Sequence, residues 1–132
     1  MEKSFEELVE DAIAQSHEGW DFSYIRDRWH SENPPWMYGD EVLSRLDDVE
    51  SMLDMGTGGG EFLLTLHERA SKWPFRVTAT EGYAPNVSVA ARNLEPIGVE
   101  VVGYESDEAL PFEDASFDLV INRHGSFAAK EV

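Results

Sequence analysis

Cysteine is absent from the 132-residue chain. The protein therefore has no disulfide framework, no thiolate nucleophile and no cysteine-ligated zinc site. The N-terminus MEKSFEELVED is acidic and amphipathic, and no apolar run reaches the roughly 18 residues of a membrane span. We therefore expect neither a secretory signal nor a transmembrane helix, and we expect a cytoplasmic location.

Positive charge is scarce. The chain has 10 Lys and Arg residues against 27 Asp and Glu residues, which gives a formal net charge of -17. An acidic surface repels phosphate backbones and anionic lipid head groups, so we expect no nucleic-acid partner and no membrane partner. The spacing of His17, His30 and His67 predicts no metal site, and we interpret them as surface or packing residues.

The length is typical of one domain, and residues 1–50 are predicted to form an N-terminal helical cap or lid. Ser4 and Glu7 fit a capping box, and apolar residues follow at helical spacing. We expect two further helices, a short one near residues 22 to 30 and one capped by Asp40. The segment from Trp20 to Tyr38 is rich in aromatic residues, which suits either a lid over a ligand or packing of the helices. Trp36 and Tyr38 are the expected pocket residues.

From residue 51 to residue 132, β and helical patterns alternate. The predicted strands are Met52–Met55, Phe75–Thr80, Val99–Val102 and Phe117–Asn122, and the predicted helices cover residues 61–71 and 85–94. This alternation predicts an α/β fold with a Rossmann-like parallel sheet and helices on both faces. Right-handed crossovers would bring the carboxyl ends of the strands to one edge, where we expect the ligand site.

A glycine-rich loop, Gly56–Gly60, follows the first predicted strand. Asp54 precedes it by two residues, and Glu81 ends the next predicted strand, where a carboxylate can accept hydrogen bonds from a ribose diol. From these residues alone, an ordinary strand-to-helix turn and a nicotinamide-nucleotide site are the alternatives. Asp54 argues against a dinucleotide, because an acid is badly placed beside a pyrophosphate and well placed beside an ammonium group.

Three segments in order resemble class I S-adenosylmethionine-dependent methyltransferases. LDMGTGGGEF (residues 53–62) is similar to motif I, and Glu81 in TATEGYAPNVSVAARNL matches the acid of motif II. SDEALPFEDASFDLV (residues 106–120) is similar to a stretch of the ubiquinone/menaquinone-type small-molecule methyltransferases. The resemblance spans about residues 50–125. It implies that S-adenosylmethionine is the cofactor and that a small molecule is the methyl acceptor.

The resemblance also implies which residues bind the cofactor. The backbone of the glycine loop would lie against the methionine and ribose portions, while Glu81 would bind the ribose hydroxyls. The family acid that meets the adenine amino group falls at Ser106, so we expect the neighbouring Asp107 to replace it, with backbone amides near Glu108. The expected cofactor-binding residues are Asp54, Gly56, Thr57, Gly58, Gly60, Glu81, Gly82, Tyr83, Asp107, Glu108 and Asn122.

His124 follows the fourth predicted strand, where substrate groups converge in this fold class. It is the candidate general base, since histidine titrates near neutral pH, and an ordinary loop histidine is the alternative. Family members continue beyond the position of Val132, so we expect a truncated form of the fold with an exposed fourth strand that promotes self-association. The functional alternatives are a non-catalytic binder of S-adenosylmethionine or its demethylated product, and a nicotinamide-dependent oxidoreductase.

Overall fold

A computed structural model describes residues 2–16, 19, 21–105 and 108–132 of the chain. Within these residues the strands are β1 (Ser51–Met55), β2 (Arg76–Glu81), β3 (Val99–Gly103) and β4 (Leu119–Asn122). They form one parallel sheet in the order β3-β2-β1-β4. The predicted α/β, Rossmann-like fold is confirmed. The chain moves outward from β1 to β3 and then returns to the other side of β1, so β1 borders the point where the strand order reverses.

Four α-helices accompany the sheet in the described part of the chain: α1 (Phe5–Ala14), α2 (Tyr38–Leu43), α3 (Glu61–Arg69) and α4 (Ala84–Leu94). Pro85 lies in the first turn of α4, where its fixed φ suits the helix and its missing amide is not needed. The helix predicted near residues 22 to 30 is a 3₁₀-helix, Ser23–Arg28. None of the described helices is long and apolar enough to cross a membrane.

Several predicted boundaries differ by a few residues from the observed ones, among them the start of α2 and the start of β4. Asp40 does not cap α2, because the helix begins at Tyr38 with Met37 as its N-cap. Asp40 lies in the first turn instead, where its charge still complements the helix dipole. The fourth strand begins at Leu119 rather than at Phe117. Just before it, Asp118 accepts hydrogen bonds from the amides of Glu50 and Ser51, which anchors this end to the start of β1.

The sheet buries side chains on both faces, as parallel sheets do. Because side chains alternate along β1, Met52 belongs to one apolar cluster and Leu53 to the other. The larger cluster joins the sheet to residues of α3 and α4 and of the region around α2. The smaller cluster places the connection from β3 to β4 over the second face, with Tyr104, Phe112 and Phe117 packed there.

The N-terminal helix forms as predicted and lies outside the core; that residues 1–50 act as a cap or lid stays a prediction. The Ser4 hydroxyl accepts from the amide of Glu7, and the Glu7 carboxylate accepts from the amide of Ser4, which completes the capping box. No residue of α1 is buried, and Phe5 and Ile13 are 75% and 79% exposed. The apolar stripe therefore forms a helix without contributing to the core. β4 lies at an edge of the described sheet, so self-association through it stays a prediction.

The position of the core predicts how two leucine substitutions will differ. Leu63 in α3 is fully buried in the larger cluster, whereas Leu8 in α1 is 44% exposed. We expect Leu63→Ala to lower the free energy of unfolding by about 2–5 kcal/mol, because it removes buried methyl groups and leaves a cavity. Leu8→Ala should change it by about 0.5 kcal/mol or less. Urea unfolding of both variants measures the difference, and equal losses would contradict the assigned core.

Candidate functional site

The turn after β1 brings two stretches of backbone into direct contact. The amides of Gly56 and Thr57 both donate to the carbonyl of Thr80 at the end of β2, over 3.0 and 2.9 Å. Gly56 has a φ of +73°, and a Cβ added to it would lie 3.0 Å from the Cα of Gly125. Only glycine combines this left-handed backbone with so close an approach. The turn after β1 is thus packed against the segment that follows β4.

Glu81, at the end of β2, is buried and tied to the same turn. One carboxylate oxygen accepts from the amide of Gly58 over 2.5 Å, and the other accepts from the amide of Tyr83 over 2.9 Å. A carboxylate has about four lone-pair positions, so these two bonds leave acceptor capacity for the hydroxyls of a ligand. Glu81 therefore lies against the glycine turn, and its role in binding a ribose stays a prediction.

Asp54, the penultimate residue of β1, is the second buried acid of the site, with 5% of its surface exposed. Burial raises its pKa to about 7, the charge of Glu81 adds to the rise, and the Thr57 side chain opposes it. Near neutral pH the free protein therefore holds Asp54 as a mixture of carboxylic acid and carboxylate. A cationic ligand group beside Asp54 would favour the carboxylate, because opposite charges stabilise each other strongly in a poorly solvated site.

Two cavities adjoin the turn after β1 and share part of their lining. The larger has a volume of about 450 Å³, and its lining includes Asp54, Thr57 and Phe62. The smaller has a volume of about 310 Å³, and its lining includes Glu81 and Gly82. Gly56 and His124 line both. A ligand with two chemically different ends could therefore cross the turn and place one end in each cavity.

The predicted cofactor residues separate into those that the structure brings together and those that it does not. Asp54, Gly56, Thr57, Glu81 and Gly82 line one or both cavities. Three other predicted residues contribute through the backbone near them: Gly58 and Tyr83 donate to Glu81, and Gly60 is the N-cap of α3. Asp107 lies outside the described residues.

Two predicted contacts are placed differently. Glu108 lines neither cavity: its amide donates to the carbonyl of Glu105 and its carbonyl accepts from the Tyr104 hydroxyl, while Tyr104 and Glu105 line the smaller cavity. A contact of the cofactor with backbone amides near Glu108 stays a prediction. The side-chain amide nitrogen of Asn122 is buried without a hydrogen-bond partner among the described residues, and Asn122 lines neither of the two cavities.

The aromatic residues of the N-terminal half are also distributed differently from the prediction. Trp36 is exposed and does not line the larger cavity, whereas Trp29 does. Tyr38 packs its ring against Phe62 at 5.2 Å between ring centres. Phe62 itself lines the larger cavity.

Sequence reasoning missed a long-range contact that joins the N-terminal half to the site. The amide of Gly19 donates to the side-chain oxygen of the buried Asn86 in α4 over 2.8 Å. A Cβ on Gly19 would overlap the carboxylate of Glu61, which starts α3 and lines the larger cavity. Because Gly19 and Asn86 are 67 residues apart, no local pattern indicates this contact.

The close approach at Gly56 can be separated from the cost of a left-handed backbone. Gly98 has a similar φ of +80°, but nothing lies within 4 Å of a Cβ added there. Both alanine variants should lose about 1–2 kcal/mol from the backbone conformation alone. We expect Gly56→Ala to lose more than Gly98→Ala, because it must also push the Gly125 backbone away. Urea unfolding of the two variants tests this, and equal losses would mean that the two segments do not touch.

Comparison with known proteins agrees with this arrangement. A family model described as a methyltransferase domain matches residues 52–131. The comparison with curated protein sequences finds no match.

Solved structures extend the likeness. The chain is 26% identical to a SAM-dependent methyltransferase from Aquifex aeolicus, with a TM-score of 0.51 over 64% of this chain and 47% of that one. It is 25% identical to the cyclase SpnF, with a TM-score of 0.50 over 62% of this chain and 31% of that one. It also shares its fold with SAM-bound CalS10, an amino pentose methyltransferase from Micromonospora echinaspora. The identity is 20% and the TM-score is 0.51, over 71% of this chain and 44% of that one.

The chain thus spans less than half the length of each of these three structures. The family match, in contrast, extends from the start of the sheet through the segment after β4 and covers more than half of this chain. The protein belongs to the methyltransferase domain family.

Proposed function

We propose that the protein binds S-adenosylmethionine across the turn after β1 and transfers its methyl group to a small-molecule acceptor. The observation that carries the proposal is the pair of buried acids, Asp54 and Glu81, at the ends of neighbouring strands beside a glycine turn. Such a pair suits a ligand that carries an ammonium group, a sulfonium and a ribose diol. The similarity of residues 106–120 to the ubiquinone/menaquinone-type enzymes supports a small acceptor.

The described residues fit this cofactor better than they fit a dinucleotide. Asp54 would face the ammonium group, and Glu81 would accept from the ribose hydroxyls. The smaller cavity, which would take the adenine, has two acids in its described lining, Glu81 and Glu105, and no Lys or Arg. A diphosphate there would meet like charge in a poorly solvated site, which is strongly unfavourable.

When bound, S-adenosylmethionine supplies a methyl group that is activated by the neighbouring sulfonium. The residues of this chain need to hold the acceptor in line with that methyl group and to exclude water. Phe62 and Trp29 give the larger cavity an apolar wall for this purpose. His124, on the wall that the two cavities share, would accept a proton from an acceptor whose attacking atom carries one.

A non-catalytic binder is the alternative that experiment must separate from an enzyme. Titration calorimetry with S-adenosylmethionine and with S-adenosylhomocysteine measures binding, and a methyl-release assay over a panel of small acceptors then measures transfer. Binding without transfer to any acceptor would favour the binder. Binding of NAD instead of either nucleoside would favour the oxidoreductase.

Glu81 provides the first test of the ribose position. We expect Glu81→Gln to weaken S-adenosylhomocysteine binding by about tenfold or more, because an amide replaces a charged acceptor for two hydroxyls. Glu100→Gln in β3 is the matched control, since Glu100 is exposed and on the far side of β2. Calorimetry on both variants decides the point, and equal affinities would place the ribose elsewhere.

Asp54 should make binding depend on pH. In the free protein its pKa is raised to about 7. The ammonium group of the ligand favours the carboxylate, so binding below that pKa releases a proton. Affinity for S-adenosylhomocysteine should therefore rise from about pH 5.5 to about pH 7.5 and level off above that range. Calorimetry in two buffers of different ionisation enthalpy measures the proton release.

The matching variant and the free protein provide the controls for this pH dependence. Asp54→Asn should bind more weakly and should lose the dependence; if it keeps the full dependence, another group is responsible. In the free protein, the free energy of unfolding has the opposite pH dependence. Because the pKa of Asp54 is higher in the folded protein than its ordinary 3.8, its contribution to the free energy of unfolding decreases as pH rises from about 4 to about 7.

A further inference from the structure

Arg123 is the positively charged residue on the wall of the larger cavity that the function above does not use. It directly follows β4 and lines the cavity together with Asp54 and Phe62. Its guanidinium carbon lies 5.4 Å from the ring centre of Tyr38 and 6.0 Å from that of Phe62. Two rings, one from α2 and one from α3, thus support the guanidinium at the cavity wall.

Arg123 shares the cavity wall with two acids, Asp54 and Glu61, but it is not within ion-pair distance of an acid in the described residues. In the described residues the ion pairs are Lys3–Asp11, Arg45–Glu41 and Arg69–Asp40, so none of them includes Arg123. This is notable in a chain with 27 acidic residues. The Tyr38 ring beside it is a neutral phenol at physiological pH, since burial raises its pKa to about 12. A guanidinium that stacks on an aromatic ring makes this contact with its face, so its N–H groups, which lie in its plane, can still donate to a ligand.

The cavity itself indicates what such a cation would bind. Its volume of about 450 Å³ is in the range of pockets that hold whole small molecules. Phe62 and Trp29 supply apolar and aromatic surface, and Thr65 supplies a hydroxyl. The same lining carries two acids, Asp54 and Glu61, and the proposed function assigns Asp54 to the ammonium group of the cofactor. Arg123 suits an organic anion in this cavity, because a guanidinium binds a carboxylate through two parallel hydrogen bonds.

We propose that Arg123 is a specificity-determining residue that binds a carboxylate on the methyl acceptor, and that the acceptor is an organic acid with an apolar or aromatic body. The inference rests on the proposed function, since it assigns the larger cavity to the acceptor. The carboxylate of the cofactor is the other source of the same chemistry. The amides at the start of α3 offer donors to that group, whereas Arg123 lies against the rings of Tyr38 and Phe62.

Binding measurements can test Arg123 without knowledge of the true acceptor. The probes are benzoate and 3-phenylpropanoate, each beside its neutral amide, titrated into the protein saturated with S-adenosylhomocysteine. We expect at least one carboxylate to bind about tenfold or more tightly than its amide, and we expect Arg123→Gln to remove that preference. Arg123→Lys should retain part of it, because a point charge replaces the planar fork. Arg92→Gln, an exposed change in α4, is the matched control and should leave it intact.

A second measurement distinguishes the two sources of the carboxylate. S-adenosylhomocysteine carries the amino-acid carboxylate, and 5′-methylthioadenosine lacks it. We expect Arg123→Gln to change the affinity for both nucleosides by less than about twofold. A loss for S-adenosylhomocysteine alone would assign Arg123 to the cofactor and overturn the proposal, as would equal binding of acids and amides by the original protein.

Failure of the underlying function would look different. If the original protein binds neither nucleoside, the proposed cofactor is wrong. The benzoate and 3-phenylpropanoate titrations can still be made on the free protein. A preference for the acids that depends on Arg123 would then support the anion site on its own, and its absence would refute it.

Discussion

Two carboxylates buried at adjacent strand ends impose the main electrostatic constraint on the structure. Removing an acid from water is costly, and the cost grows when a second acid lies nearby in a chain of net charge -17. The two residues meet this cost differently. Glu81 accepts from two backbone amides, whereas Asp54 holds its proton to an unusually high pH. The glycine turn is needed for the first solution, because the backbone must bend sharply to aim an amide at Glu81.

The strand order explains why these groups meet. β1 lies between β2 and β4, so the segments that follow all three strands emerge at one edge of the sheet. The amides of the turn after β1 donate to the end of β2, and its glycine contacts the segment after β4. A ligand that binds on this edge therefore touches three elements that are far apart in sequence. This is the position at which α/β sheets of this kind bind ligands.

The parts of the site that could be predicted from sequence are those fixed by local geometry. A short apolar strand followed by glycines places Asp54 and Glu81 at strand ends, whatever packs around them. Parts that depend on how distant segments pack could not be predicted in this way. Glu105 lines the smaller cavity, and no local pattern had indicated it.

The N-terminal half shows the same division. The capping box and the periodicity predict α1 correctly, since both are properties of a few neighbouring residues. Periodicity indicates a helix but not the surface that the helix meets, and the apolar side of α1 is exposed. Trp29 and Trp36 are equally aromatic in sequence, and only the path of the chain places Trp29 at the cavity. Similarly, the sequence around Arg123 does not show that its guanidinium lies near the rings of Tyr38 in α2 and Phe62 in α3.

The wall formed by Gly56 and His124 belongs to both cavities, and this shared wall has a thermodynamic consequence. A molecule that shifts the backbone there from one side alters the shape offered to a molecule on the other side. Such cooperativity is reciprocal. If a ligand in one cavity changes the affinity of the other cavity by some factor, a ligand in the other cavity changes the affinity of the first by the same factor. A ligand that moved this wall in one cavity would therefore change the affinity of the other cavity by the same factor in both directions.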